Sequence, residues 1–276
     1  MDQFKYTFLG VESASRGLLP TEAEALRPAV RRITVADLRD VLGRGASDFA
    51  ANRTDVIFLC VIYPVIGVVS AGLAAGHQML PLLFPLASGF ALIGPFAGVG
   101  LNEMSRRREL GIGKGWTDAF RVLSSPSLGA IILLGLVLTG VFFLWMVTAY
   151  AIYDLTMGPR LPASPAVFIH DVLLTGPGWE LIVIGVGVGF LFAALVLVIS
   201  VVAFPLLLDR TVGVEVAVTT SVRAAVVNPG PIFMWGLIVT VGLVIGSIPV
   251  FVGLIVALPV LGHSTWHLYR KLVVPR

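Results

Sequence analysis

The sequence predicts an all-α integral membrane protein with six transmembrane helices, and three observations lead to this fold class. Only 13% of the 276 residues are charged, about half the share in soluble domains, while 57% are hydrophobic and the mean hydropathy is +0.95. Runs of about 20 apolar residues, the length that crosses a bilayer as a helix, recur along the chain. Six spans also place nearly all basic residues on one side of the membrane.

The apolar runs give the spans in order. They cover residues 56–76, 79–101, 128–155 and 179–208, and a longer run extends from 231 to 262. A single helix over this last run would exceed the roughly 30 Å hydrocarbon core. The stretch "GSIP", residues 246–249, predicts a break, because glycine tolerates a turn and proline suits the first turn of a helix. The run therefore predicts two spans, 231–247 and 249–268.

The basic residues predict the orientation. Of the 19 lysines and arginines, all but Arg160 lie in the N-terminal region, in segments 102–128 and 209–230, or at the C-terminus. Because cytoplasmic loops are enriched in Lys and Arg, these segments and both termini are predicted to be cytoplasmic. Residues 1–32 are polar and predict a flexible cytoplasmic tail, and residues 33–276 form the predicted membrane domain.

Each predicted hairpin of two spans follows an amphipathic segment, which predicts three cytoplasmic helices lying in the headgroup plane. The first segment begins with Thr34 and Asp37, which are spaced as in a capping box. The predicted apolar faces are Val35, Leu38, Val41, Leu42, Gly45 and Phe49 in the first segment, Trp116, Ala119, Phe120 and Leu123 in the second, and Val214, Val218, Val222, Ala225 and Val226 in the third.

The stretch "GKGWTDAF", residues 113–120, resembles a phosphate-binding loop because two glycines flank Lys114. A phosphate loop, however, follows a buried strand and ends in Gly-Lys-Ser/Thr, whereas here a predicted span precedes and Gly115 follows the lysine. The stretch instead predicts a glycine hinge into an interfacial helix, and no nucleotide is expected. A similar Gly-x-Gly-x-Ser/Thr-Asp pattern at residues 43–48 suggests a repeated unit of interfacial helix and hairpin.

His263 and His267 form the one pair of histidines at metal-binding spacing, since residues i and i+4 share a helix face. Neighbouring Trp266 and Tyr269 favour a second interpretation, in which this helix end is anchored at the headgroups by amphipathic rings. A metal or haem site at the histidine pair remains the weaker alternative.

No pattern of catalytic residues is visible, so the sequence predicts no enzyme, no cofactor and no nucleic-acid partner. No ionisable residue lies centrally in a predicted span, which argues against ion-coupled transport. The residues expected to face lipid or its anionic headgroups are Arg106, Arg107, Arg108, Lys114, Trp116, Arg121, Arg223, Trp266, Tyr269, Arg270 and Lys271.

Several stretches resemble a known family, among them "RRITVADLRD", "LLFPLASGFALIGPFAGVGL", "SRRREL", "GFLFAALVLVISVVAFPLLLDR" and "PVLGHSTWHLYRKL". From about Arg31 to Leu272 the chain resembles the predicted bacterial integral membrane proteins of domain-of-unknown-function family 2189. The resemblance implies a multi-pass protein of the bacterial inner membrane, and it brings no assigned activity. Some family members carry the label of a cytochrome c oxidase subunit. A haem–copper catalytic subunit has more metal-binding histidines and spans than the four histidines and six predicted spans here.

Two functions follow from these observations. The first is a non-enzymatic accessory or scaffold protein, associated with a membrane-protein complex of the respiratory machinery. The alternative is a carrier or channel for an apolar or amphipathic small molecule or lipid, which kinkable helices and uncharged span interiors would suit.

Overall fold

The computed structural model of the chain describes residues 28–60, 80–82, 85–86, 92, 94–96, 98–113, 115–159, 162–249 and 251–275. These residues are helical apart from turns, connecting segments and one isolated β-bridge. The α-helices are α1 (Asp37–Cys60), α2 (Val99–Glu109), α3 (Leu128–Met157), α4 (Pro165–Leu174), α5 (Gly176–Ser200), α6 (Ala203–Asp209), α7 (Val214–Val227), α8 (Pro229–Ser247) and α9 (Leu254–Leu272). Two 3-10 helices lie at Leu80–Leu82 and Trp116–Ser124.

Within the described residues, three helical stretches are long and apolar enough to cross a membrane: Leu128–Met157, Gly176–Asp209 and Pro229–Ser247, with mean hydropathies of 2.6, 3.0 and 1.8. They coincide with the predicted spans 128–155, 179–208 and 231–247. The second stretch consists of α5 and α6, with a short turn between them.

The other three predicted spans have different outcomes. Most of 56–76 lies outside the described residues, and 79–101 is described only in pieces, at 80–82, 85–86, 92, 94–96 and 98–101. The sixth, 249–268, corresponds to α9, which is not among the three long apolar stretches. Helix α8 ends at Ser247, so the predicted break is present, but α9 begins at Leu254 rather than at Pro249. The backbones of Gly246 and Gly253 approach closely at this turn.

Helix α1 corrects the expected first interfacial helix. The predicted capping pair is present, because Thr34 donates to Asp37 from its backbone nitrogen and its hydroxyl, both at 2.8 Å. The helix then continues without a hinge to Cys60. Its stripe of Leu38, Val41 and Gly45 is buried against α9 rather than turned to lipid.

The last residues of the predicted tail 1–32 contact the helical part of the chain. Val30 forms an antiparallel bridge with Val273 near the C-terminus. Asn228, between α7 and α8, fixes the next residues by donating to the Arg31 carbonyl at 3.0 Å and accepting from the Ile33 N–H at 2.8 Å. Residues 28–33 therefore belong to the folded part of the chain.

Candidate functional site

The three consecutive arginines of α2 pair with three acids, and these acids lie on three different elements, one of which is α2 itself. Arg106 binds Glu103 of its own helix through two nitrogens, at 2.6 and 2.9 Å. Arg107 donates to Asp118 of the second 3-10 helix at 2.9 Å. Arg108 donates to Asp48 of α1 at 2.7 Å. Arginines expected at the lipid headgroups are thus engaged in contacts within the protein.

The two copies of the Gly-x-Gly-x-Ser/Thr-Asp pattern meet at this arginine run. Asp48 ends the first copy and Asp118 ends the second, and both carboxylates are buried. They accept from neighbouring arginines of α2, Arg108 and Arg107. The backbones of the copies differ, because the first is helical whereas Gly115 in the second has a φ of 110°. What the copies share is therefore the position of an acid against α2, not a local fold.

Asp48 is the centre of a buried polar cluster that joins α1, α2 and α9. Its Oδ2 accepts from the Ser105 hydroxyl at 2.6 Å and lies 2.8 Å from Nε2 of His267. Ser105 in turn lies 2.9 Å from Nδ1 of His263. With Arg108 included, the Asp48 carboxylate contacts three side chains from two other helices.

The electrostatics of the cluster favour a charged Asp48. Burial by itself would raise the pKa of this carboxyl, but hydrogen bonds from His267 and Ser105 outweigh it and hold the pKa below its ordinary value. Asp48 lies on α1 ahead of the predicted span 56–76. The cluster thus stabilises one carboxylate with several donors at the end of the helix bundle.

Aspartate, serine and histidine also form catalytic triads, but here the hydrogen bonds are ordered differently. In a triad the serine donates to histidine, which donates to the acid. The short distance from Ser105 to Asp48 is that of a hydroxyl donating to a carboxylate, so the serine oxygen accepts from His263. Ser105 and His263 are both buried. The geometry fits a bond between helices rather than an activated nucleophile.

The histidine pair uses one nitrogen of each ring within this cluster: Nδ1 of His263 and Nε2 of His267. Among the described residues, no three His, Cys, Asp or Glu side chains are grouped as a metal site requires. The predicted i, i+4 relation places both rings toward α1 and α2, where they contact Ser105 and Asp48.

The aromatic residues beside the histidines lie in the interior rather than against lipid. Trp266 is buried and donates from Nε1 to Glu109 at 2.7 Å, and Tyr269 is buried and donates to Asp209. The polar atom of each ring donates a hydrogen bond to an acid of another helix, and buried Trp and Tyr side chains usually have such a hydrogen-bond partner. Their expected role as lipid anchors does not agree with this position.

The last two basic residues of α9 extend the same connections. Arg270 pairs with Glu109 at 2.9 Å, and Lys271 pairs with Asp37 at 2.9 Å and Asp40 at 3.0 Å. The hydrogen bond from Lys271 is the main cause that lowers the pKa of Asp37 to about 2. The C-terminal end of α9 is thereby tied to both α1 and α2.

The remaining predicted lipid-facing residues lie at the surface or outside the described part. Trp116, Arg121 and Arg223 are exposed. Lys114 lies outside the described residues. Their contacts with lipid remain predictions.

A pocket of about 210 Å³ lies beside Gly113 and Gly115, with Arg108 and Asp118 at its wall. Ligand sites usually measure about 300–1,000 Å³, so this pocket is small for a nucleotide. Its two charged side chains are already paired, Arg108 with Asp48 and Asp118 with Arg107. The geometry therefore gives the phosphate-loop interpretation no support.

Sequence reasoning missed the cluster because its members are far apart in the chain. Asp48 and Ser105 are separated by 57 residues, and Ser105 and His263 by 158. The acid repeated at positions 48 and 118 is the one local signal, but the repeated pattern does not predict a partner for it. In the structure the two acids pair with Arg108 and Arg107.

The comparisons with known proteins agree with the membrane character of the chain. No curated protein and no solved structure matches the sequence. The model of one family, described as "Predicted integral membrane protein (DUF2189)", matches residues 83–209. The match covers α2 to α6, including two of the three long apolar stretches. The resemblance to family DUF2189 is thereby confirmed over residues 83–209, and the chain is an integral membrane protein; for the rest of the range from Arg31 to Leu272 the resemblance stays a prediction.

Proposed function

We propose that the protein is a non-enzymatic accessory or scaffold protein of the bacterial inner membrane that associates with a respiratory complex. The observation that carries the proposal is the stretch Gly176–Asp209. It has the highest mean hydropathy of the three, yet only 6% of its most apolar window is buried by the rest of the chain. Residues 200–208 are buried, so the uncovered part lies in α5, which offers a long contact surface to lipid or to the helices of a partner.

The distribution of polar groups supports a structural role. Asp48, Ser105 and His263 form hydrogen bonds between helices. All three side chains are buried and are not accessible to a substrate from the surface. The family that the chain resembles includes members labelled as a cytochrome c oxidase subunit, and this resemblance supports a respiratory partner.

The proposed topology has six spans, with both termini in the cytoplasm. Four segments are assigned to the cytoplasmic side by charge, and their residues meet in space. Arg270 contacts Glu109, Tyr269 contacts Asp209, Lys271 contacts Asp37, and Asn228 contacts Arg31. Segments on opposite sides of a bilayer could not form these bonds, so the contacts support a shared side.

The orientation is testable by cysteine labelling in intact cells. In a Cys60→Ala background, Ala163→Cys should react with an impermeant maleimide from outside, and Glu215→Cys should react only after lysis. Both side chains are exposed, so access depends on the side of the membrane. The opposite labelling pattern would invert the proposed orientation, and external labelling of both would break the six-span topology.

The accessory function is tested by purifying the tagged full-length chain from membranes in a mild detergent that keeps respiratory complexes intact. We expect respiratory subunits to co-purify in fixed proportion. A bulky residue on the uncovered stretch, Gly187→Leu, should reduce their recovery several-fold, since a Cβ at Gly187 meets nothing within 4 Å in the chain itself.

The matched control is Gly140→Leu on α3, where a Cβ also meets nothing within 4 Å. This variant should leave recovery unchanged. Purification of the chain alone, with the respiratory complexes intact in the same extract, would refute the accessory role. A stoichiometric bound lipid or small molecule in that sample would favour the carrier instead.

A further inference from the structure

The 3-10 helix Trp116–Ser124 exposes large apolar side chains and buries its acid. Its one acid, Asp118, is 3% exposed and bound to Arg107, whereas Phe120 is 50% and Leu123 65% exposed. Only the smaller Ala119 and Val122 pack against the buried clusters of the chain. A helix packed on a protein in water buries its apolar face, so the exposed Phe120 and Leu123 suit this part of the surface to an apolar environment.

The rest of the outer surface fits the boundary of a bilayer. Trp116 packs edge-on against Phe120, with ring centroids 5.8 Å apart, and it stays partly exposed. Tryptophan is enriched at this depth of a membrane. Arg121 and Thr117 are exposed on the same helix, where a cation and a hydroxyl can contact headgroups. Since Asp118 is turned inward, the outward charge of this helix is positive.

The segments before and after the 3-10 helix also expose apolar side chains. Helix α3 starts at Leu128, a few residues beyond the 3-10 helix, and turns Ile132 and Leu136 outward. Before the 3-10 helix, Leu110 and Ile112 are exposed in the loop that follows α2. Because α3 is long and apolar enough to cross a membrane, the 3-10 helix that leads into it is close in the chain to a bilayer surface.

We propose that Trp116, Phe120 and Leu123, with Leu110 and Ile112, dock on the bilayer surface, and that Arg121 contacts anionic headgroups there. The inference goes beyond the accessory function, because it needs only that α3 spans the membrane. It also separates this helix from the other two segments expected at the interface. The apolar stripe of α1 is covered by α9 and is not free to contact lipid. The buried face of α7 consists of small residues such as Ala217 and Ser221.

The test uses the full-length chain with Cys60→Ala in nanodiscs of phosphatidylcholine, with or without phosphatidylglycerol. Nitroxide labels are placed at Phe120→Cys and, independently, at Leu123→Cys. The matched control is Thr117→Cys, on an exposed residue of the same helix that carries no apolar side chain. Collisions with oxygen report lipid exposure, and collisions with an aqueous nickel chelate report water exposure.

We expect labels at 120 and 123 to collide several-fold less with nickel, relative to oxygen, than the label at 117. Phosphatidylglycerol should increase the difference. Arg121→Gln should lower the equilibrium constant for docking on phosphatidylglycerol nanodiscs by about fivefold, because one basic residue contributes about that much at an anionic surface.

Two results would overturn the proposal. Equal nickel collision at all three positions would mean that the helix lies in water. Low collision with both oxygen and nickel at positions 120 and 123 would mean that protein, from this chain or a second copy, covers the face. Either result leaves the accessory function untouched, because that function is measured by co-purification.

Discussion

Replacing Asp48 with asparagine is expected to lower the free energy of unfolding by about 2–4 kcal/mol. The substitution keeps the shape of the side chain but removes the charge that Arg108 and His267 contact. Breaking a buried ion pair from one side costs about 3–5 kcal/mol, and Arg108 is partly exposed, which reduces the loss. Because Asp48 connects three helices, the loss should appear as global unfolding at lower denaturant concentration.

The measurement is a denaturant titration of the purified protein in detergent micelles. The control is Asp171→Asn on α4, which removes the acid of the exposed pair with His170. Surface substitutions of this kind usually change stability by less than about 0.5 kcal/mol. Equal losses in the two variants would show that the buried cluster does not hold the helices together.

The pH dependence of the same variant has a definite sign. A carboxyl whose pKa is lower in the folded state stabilises the fold above its ordinary pKa of 3.8, and the effect is lost as pH falls through the lower folded value. The wild-type protein should therefore lose this contribution on acidification below about pH 4. Asp48→Asn lacks that carboxyl, so its stability should depend less on pH in this range.

The parts of the fold that sequence predicted are those fixed by local pattern. Three of the spans follow from apolar length, and the break after Ser247 follows from residues that end helices. The Thr34–Asp37 cap follows from a spacing of three residues. Each of these depends on neighbours in the chain, so one sequence suffices to predict it.

Local sequence pattern could not predict which helix or side chain each predicted helix face packs against. The pattern of α1 indicates an apolar face, but a face that includes Gly45 fits a lipid surface and a closely packed helix equally well. The arginine run shows a positive-inside pattern, yet Arg107 and Arg108 pair with acids at positions 118 and 48. Which long-range contacts form depends on how the helices pack, and periodicity carries no information about that.

The second large effect is expected at Gly45, where α1 and α9 are in close contact. A Cβ at this position would lie 2.7 Å from the backbone nitrogen of Ser264 and 2.8 Å from the carbonyl oxygen of Val260. Backbone atoms cannot rotate away, so Gly45→Ala must push the two helices apart. Overpacking costs about 1–3 kcal/mol, and alanine regains up to about 1 kcal/mol of helix propensity. We expect a net loss of about 1–2 kcal/mol, and more for Gly45→Val.

Gly43 provides the matched control, because it lies two residues earlier on the same helix and a Cβ there would meet nothing within 4 Å. Gly43→Ala should stabilise the protein by up to about 1 kcal/mol, since only helix propensity changes. The two substitutions are chemically identical, so opposite signs in the same denaturant titration isolate the contact with α9. A stabilising Gly45→Ala would mean that α1 does not pack on α9, and that its stripe is free to face lipid as the sequence first indicated.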